Sequence, residues 1–256
     1  MRRRVVAGNW KMNVGPSAGR EFVETFEAPL AEGLELILFP PALTLAAVAE
    51  VIARPGGPPV HLGVQNVFHQ DSGAFTGENS VPMAVEAGAR YVLAGHSERR
   101  HLFGESDDDV RRKVEAVLRH GLVPLLCVGE TLDERRADRV EDVVLRQLDA
   151  VLQASAVRTA LEGGRDFVVA YEPVWAIGTG ETATPADASH AHGILRERLV
   201  HTLGRSSGER VPLLYGGSVK PDNASELMEA SEVNGVLVGG ASLDPDSFAA
   251  IAAAAG

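Results

Sequence analysis

Eight short aliphatic runs recur along the 256 residues, each followed by a helical pattern, and no linker-like break separates them. The runs are Val5 to Ala7, Leu34 to Phe39, Val60 to Val64, Tyr91 to Ala94, Val123 to Val128, Phe167 to Ala170, Val211 to Tyr215 and Val236 to Val238. They are continuous rather than alternating, the pattern of parallel strands covered on both faces. Predicted helices lie between them over 17–30, 43–52, 81–87, 107–120, 140–152, 185–203, 223–230 and 246–254. Ser106 before an acidic triplet, Thr184 before Pro185, and Pro221-Asp222 before Asn223 supply start signals. Two architectures accept this alternation: a closed (β/α)8 barrel and an open doubly wound sheet. Eight units of about 30 residues match the size of the barrel. An open sheet would carry a glycine-rich phosphate turn after its first strand, and Gly8-Asn9-Trp10-Lys11 is not one. The expectation is an α/β fold, a single closed (β/α)8 barrel of eight parallel strands, with residues 1–256 as one domain. Pro55 to Pro59 reads as a stiff loop between a helix and a strand.

Composition narrows the function classes. A net charge of −11 argues against nucleic acid or an anionic membrane as a partner. No apolar run approaches the roughly 18 residues of a membrane span. Arg2 to Arg4 precede an apolar stretch too short for the roughly 7–15-residue core of a signal peptide. The single cysteine, Cys127, cannot form an internal disulfide and suits a reducing compartment, so a cytoplasmic location is expected. Asn223-Ala224-Ser225 matches a glycosylation acceptor by chance on this reading.

In a barrel, chemistry gathers where strands end and loops to the next helix begin. The polar residues at those ends are Asn9, Lys11, Gln65, Asn66, His96, Ser97, Glu98, Glu130, Glu172 and Ser218, with glycine pairs at Gly216-Gly217 and Gly239-Gly240. The chain has three lysines, Lys11, Lys113 and Lys220. Only Lys11 follows the first strand directly; Lys113 and Lys220 read as surface residues. The glycine pairs can expose backbone N–H groups near helix starts after the last two strands, a common place for phosphate. Glu172, ahead of the glycine-containing segment Val174 to Glu181, has the position of a base under a closing loop. Glu130 competes for the same role, and spacing does not choose between them. His96 is a candidate proton-transfer or hydrogen-bonding group. No metal cluster is expected, since His190 and His192 are two apart in a helix and point to different sides. Cys127 reads as core packing.

Gly8-Asn9-Trp10-Lys11-Met12-Asn13, Gly95-His96-Ser97-Glu98-Arg99-Arg100, Tyr171 through Gly180, Tyr215-Gly216-Gly217-Ser218-Val219 and Leu237 through Leu243 closely resemble the triosephosphate isomerase family, in the right order along the chain. The resemblance implies interconversion of dihydroxyacetone phosphate and glyceraldehyde 3-phosphate, a step of glycolysis and gluconeogenesis, with no metal or organic cofactor. It implies Glu172 as base, His96 as electrophile, Lys11 as cation, and Asn9 fixing the geometry, with Glu98 in support. The phosphate is expected on backbone near Gly178, Ser218, Gly239 and Gly240. It also implies a homodimer through the 65–80 loop, where Thr76 and Glu78 would meet the partner's site and Phe68 and Phe75 supply apolar contact. Three residues depart from the family's usual pattern: Asn79, Glu181 and Asn234, the last in place of an aspartate tied to a structural ion pair. The motifs alone leave open a triose phosphate or a longer relative such as a tetrulose phosphate. A silent phosphate-ligand binder on the same barrel is the rival from another class. A Schiff-base aldolase would want a lysine in a later strand.

Overall fold

A computed structural model describes residues 3–29, 31–177 and 183–256. Eight parallel strands close into a barrel in chain order: β1 (Arg4–Asn9), β2 (Leu34–Phe39), β3 (Val60–Val64), β4 (Tyr91–Ala94), β5 (Val123–Val128), β6 (Val168–Tyr171), β7 (Leu213–Tyr215) and β8 (Gly235–Val238). Closure is made by β1 against β8, with Val6 opposite Val236 and Gly8 opposite Val238.

The unbroken apolar runs now have a physical cause. Along β1, Val5 and Ala7 point into the barrel, where they join Ile37, Phe39, Tyr91, Leu93 and Leu125 in an inner core. Val6, between them, packs outward beneath the helices with Leu36, Leu38 and Val236. Both faces of each strand are therefore dry, and alternation disappears from the sequence. Each such aliphatic side chain contributes roughly 1.5–3 kcal/mol by leaving water. Cys127 belongs to the inner core, as its sequence neighbourhood suggested.

The caps at Ser106 and Thr184 form full capping boxes with Asp109 and Asp187. Other boundaries moved. The first helix is Pro16–Thr25, not 17–30, because Pro29 disfavours helical backbone in the residue before it. β7 starts at Leu213, since Pro212 has no N–H to give the ladder. The helix predicted from Asn223 is Ala224–Glu229, and Asn223 instead uses its side chain to brace the turn before it. Helices Ser97–Leu102, Leu132–Arg136, Ser155–Glu162 and Arg205–Gly208 were not anticipated; they are too short for a sustained apolar period.

Candidate active site

The carboxyl ends of the strands surround a cavity of about 300 Å³. Asn9 and Lys11 enter it from β1, His96 from β4, Glu172 from β6, and Ser218 with Lys220 from the loop after β7. Gly216, Gly217, Gly239 and Gly240 form its glycine wall. A larger cavity, about 590 Å³, opens at the opposite end of the barrel beside Arg3, Phe167 and Val211. None of the residues singled out at the strand ends reaches it, so the smaller cavity is the candidate site.

Lys11 is held in a left-handed backbone conformation, φ +51°, that a lysine adopts only under constraint. The constraint is visible on both sides of the residue. Its N–H donates to Asn9 Oδ1 at 3.0 Å, and its carbonyl accepts from Gln65 Nε2 at 2.8 Å. The same Gln65 amide reaches Phe39 O at 2.8 Å, fastening this turn to β2. The Lys11 ammonium then meets Glu98 Oε1 at 2.7 Å.

His96 is the N-cap of helix Ser97–Leu102, and its Nδ1 accepts the Glu98 N–H at 3.3 Å. That bond places the imidazole proton on Nε2, facing the cavity. Beneath it, Arg100 donates to Gly95 O at 2.7 Å, to Cys127 O at 3.3 Å and to Asp107 at 2.6 Å, tying the ends of β4 and β5 together.

Glu172 is buried at the end of β6, its Oε1 3.0 Å from His96 Nε2 and its Oε2 accepting from the Ser97 N–H at 2.9 Å. Burial alone would raise this carboxyl. His96, the Ser97 N–H and Lys11 outweigh burial and hold it below its ordinary value, so it rests as an anion. Burial likewise opposes an imidazolium at His96, but the Glu172 carboxylate outweighs it and pulls His96 above its ordinary value while the two touch.

A buried anion that can accept a proton, an imidazole N–H donor and a lysine converge on a cavity with a glycine wall. The arrangement suits proton abstraction next to a carbonyl in a phosphorylated ligand. Comparison with known proteins agrees. The triosephosphate isomerase family model matches residues 4–255. A triosephosphate isomerase of Halorhodospira halophila is 50% identical over 254 residues, covering 98% of this chain and 97% of that protein. Those of Symbiobacterium thermophilum and Aquifex aeolicus are 48% and 45% identical, with 100% and 97% of this chain covered and 98% of each relative. The chain belongs to the triosephosphate isomerase family.

Against that triosephosphate isomerase framework, the structure separates the two carboxylates that spacing could not. Glu130 is wholly buried outside the cavity, its Oε1 accepting from Tyr171 Oη at 3.0 Å, Trp175 Nε1 at 2.9 Å and Arg135 at 3.3 Å. It is committed to structure. Lys113 requires a correction: it is buried, donating to Asn66 Oδ1 at 2.7 Å and pairing with Glu105. Its helix turns it inward, and a lone lysine in a sequence does not say which face it occupies. Asn66 is thereby absorbed into the same cluster. Lys220, also read as a plain surface residue, is exposed but lines the cavity.

Among the described residues there is no group of three metal-ligating side chains. His192 is buried, its ring bonding Glu232 O at 3.1 Å, while His190 is exposed. At Asn234, the side-chain oxygen accepts from Leu213 N at 3.0 Å and from Arg196 at 3.1 Å, and Arg196 finds its carboxylate at Glu232, 2.9 Å away. Gly178 and Glu181, with the rest of 178–182, lie outside the described residues. In the 65–80 loop, Phe68 and Phe75 are half-buried against each other at 4.3 Å between ring centroids, so they do not stand free at a tip. Asn79 serves that loop through its backbone, its carbonyl accepting from Phe68 N at 2.8 Å. Thr76 is exposed and does not line this chain's cavity.

Proposed function

We propose that this chain interconverts dihydroxyacetone phosphate and D-glyceraldehyde 3-phosphate, as its family membership indicates, without metal or organic cofactor. The observation that carries the reading is the convergence of Glu172, His96 and Lys11 on one cavity beside Ser218, Gly239 and Gly240. Glu172 takes a proton from the carbon next to the carbonyl. The electron pair left behind forms the carbon–carbon double bond of an enediolate, and negative charge settles on oxygen. The His96 Nε2–H and the Lys11 ammonium stabilise that charge. His96 Nε2 passes a proton to the former carbonyl oxygen and takes up the one leaving the neighbouring hydroxyl, while Glu172 returns its proton to the neighbouring carbon, so that a new carbonyl forms and the isomerisation is complete. Asn9 keeps Lys11 in place, and Glu98 orients its ammonium. Backbone around Ser218, Gly239, Gly240 and Gly178 holds the phosphate. Shielding the enediolate from water suppresses loss of phosphate.

The whole chain is read as one barrel domain in the cytoplasm; among the described residues no helix is long and apolar enough to cross a membrane. It is also read as a homodimer. Met12, Leu102 and Phe103 are 96%, 75% and 69% exposed, a cost that a second subunit would remove. Met12 and Phe103 line a cleft of about 210 Å³ that adjoins the site through Asn9, Lys11 and His96. A partner's 65–80 loop, led by Thr76, fits such a cleft, and two-fold symmetry makes the exchange reciprocal.

A coupled assay with glyceraldehyde 3-phosphate and, in parallel, erythrulose phosphate tests the reaction and its substrate. Rapid turnover of the triose and slow turnover of the tetrulose are expected. Binding of either without turnover would overturn the enzyme reading, and preference for the tetrulose would overturn the substrate.

A further inference from the structure

The reaction as derived leaves one charge at the site unused. Lys220 is exposed at the cavity, on the same wall as Ser218, Gly239 and Gly240. Its backbone is fixed while its ammonium is not. The Lys220 N–H donates to Asn223 Oδ1 at 2.8 Å, and Asn223 Nδ2 donates to Ser218 O at 3.0 Å, clamping the turn that carries both residues. No carboxylate pairs with the Lys220 side chain among the described residues.

The other cationic groups of the site are already engaged. Lys11 is already paired with Glu98 at 2.7 Å, and the Glu172 carboxylate is in contact with His96 at 3.0 Å. Without Lys220 the described residues of the cavity therefore offer an arriving dianion no cation that is not already paired with a carboxylate, on a chain whose net charge is −11. Backbone N–H groups act only at short range, so a phosphate dianion would be repelled until it arrived.

We propose that Lys220 is a capture residue, whose unpaired ammonium draws the phosphate dianion of the substrate to the Ser218 and Gly239-Gly240 wall. This rests on reading the site as one for a phosphorylated triose. The phosphate charge does not change during isomerisation, so Lys220 stabilises bound substrate and transition state alike. It therefore acts on kcat/KM and leaves kcat alone. Its reach is that of an exposed charge: about 10 Å at 0.1 M salt and about 3 Å at 1 M.

Lys220→Gln, Lys220→Glu and Lys220→Arg, assayed with glyceraldehyde 3-phosphate across ionic strength, test this. At low salt, kcat/KM should fall about threefold in Lys220→Gln and about tenfold in Lys220→Glu, and stay near wild type in Lys220→Arg. The differences should vanish at 1 M salt, with kcat constant throughout. Calorimetric binding of inorganic phosphate at low salt should weaken in the same order, a readout independent of turnover. Equal kcat/KM in Lys220→Gln and wild type at low salt, a loss that persists at 1 M, or an equal loss of kcat would each overturn the proposal. Absence of triose turnover in the wild type, with phosphate binding still graded by the charge at 220, would overturn the isomerase reading and leave the capture site standing.

Discussion

Replacing Gly129 with alanine should misplace the proposed base without touching it chemically. Gly129 follows β5 directly, and Gln147 grips its peptide groups, accepting from its N–H at 2.8 Å and donating to its carbonyl at 3.2 Å. A Cβ at this position would lie 1.7 Å from the Glu172 carbonyl oxygen, 2.6 Å from its carbonyl carbon and 3.2 Å from its Cα. These are backbone atoms, so no change of rotamer relieves the overlap. Reaching even 3.0 Å requires the ends of β5 and β6 to part by about 1.3 Å, which strains the 2.7 Å bond from Glu172 N to Val128 O. A displacement of ~1 Å at a reacting group costs roughly 10²-fold in rate, and overpacking of this kind costs about 1–3 kcal/mol in stability. The expected Gly129→Ala enzyme is folded, melts some degrees lower, and has kcat reduced about 100-fold or more.

The measurement pairs the coupled isomerase assay with thermal unfolding. Gly193→Ala is the control. It lies within helix Pro185–Leu203, where an added methyl meets nothing within 4 Å, and should stabilise the protein by about 0.5–1 kcal/mol with activity unchanged. A Gly129→Ala enzyme with wild-type kcat would refute the reasoning, whatever its melting temperature. It would mean that the overlap relaxes on the β5 side and that Gly129 does not set the position of Glu172.

Glu172→Asp should lower kcat about 10²-fold, because its carboxylate retreats by roughly 1 Å from the substrate carbon; near-normal turnover would return Glu130 to candidacy. Lys11→Ala should raise KM and lower kcat together, and unchanged kinetics would remove Lys11 from the mechanism. Phe75→Asp breaks the ring contact that shapes the 65–80 loop, so light scattering should report monomers and the assay a parallel loss of rate; a fully active monomeric wild type would refute the link. His192, buried, is pushed down to about 4 by burial, whereas in the unfolded chain it titrates near its ordinary 6.5. Between those values the unfolded chain binds the extra proton, so this stability is present above about pH 6.5 and is lost as pH falls towards 4. Urea unfolding at pH 7 and 5 should show about 2 kcal/mol of this loss, and His192→Gln should shrink the gap; an unchanged gap would mean other groups set it.

The barrel was legible because its cause is periodic. Eight dry strands must each be apolar on both faces, and that pattern survives in the sequence even at β7, whose strand is only three residues long. Short helices such as Leu132–Arg136 bury no residue and leave no apolar stripe to read. At the site, strand-end position offered Gln65, Asn66, Ser97, Glu98 and Glu130 beside Asn9, Lys11, His96 and Glu172, and of these nine only the last four line the cavity. Position could not separate Glu172 from Glu130, because both lie just past a strand. The difference lies in the partners: Trp175 and Tyr171 occupy one carboxylate, His96 and the Ser97 N–H the other. The same blindness explains Lys113 and Lys220. One is turned inward by its helix, the other brought to the cavity by a turn that Asn223 clamps, and neither event has a signature in the residue itself.

In the proposed mechanism the resting site is already satisfied, and that has a consequence for how substrate must act. Glu172 spends its two oxygens on His96 and the Ser97 N–H, and Lys11 spends its charge on Glu98. A triose phosphate can engage these groups only by displacing their present partners: its reacting C–H must draw Glu172 off Ser97, and its oxygens must draw the His96 proton off Glu172. Such exchanges are unfavourable at these atoms in the ground state, since charge-assisted hydrogen bonds give way to a C–H contact and a neutral acceptor, and binding of the phosphate must offset the loss. They become favourable as negative charge builds on the substrate oxygen, because His96 and Lys11 then face an anion in a buried site. The pairings seen at rest would thus keep buried charges from standing unpaired and reserve their stronger interactions for the enediolate.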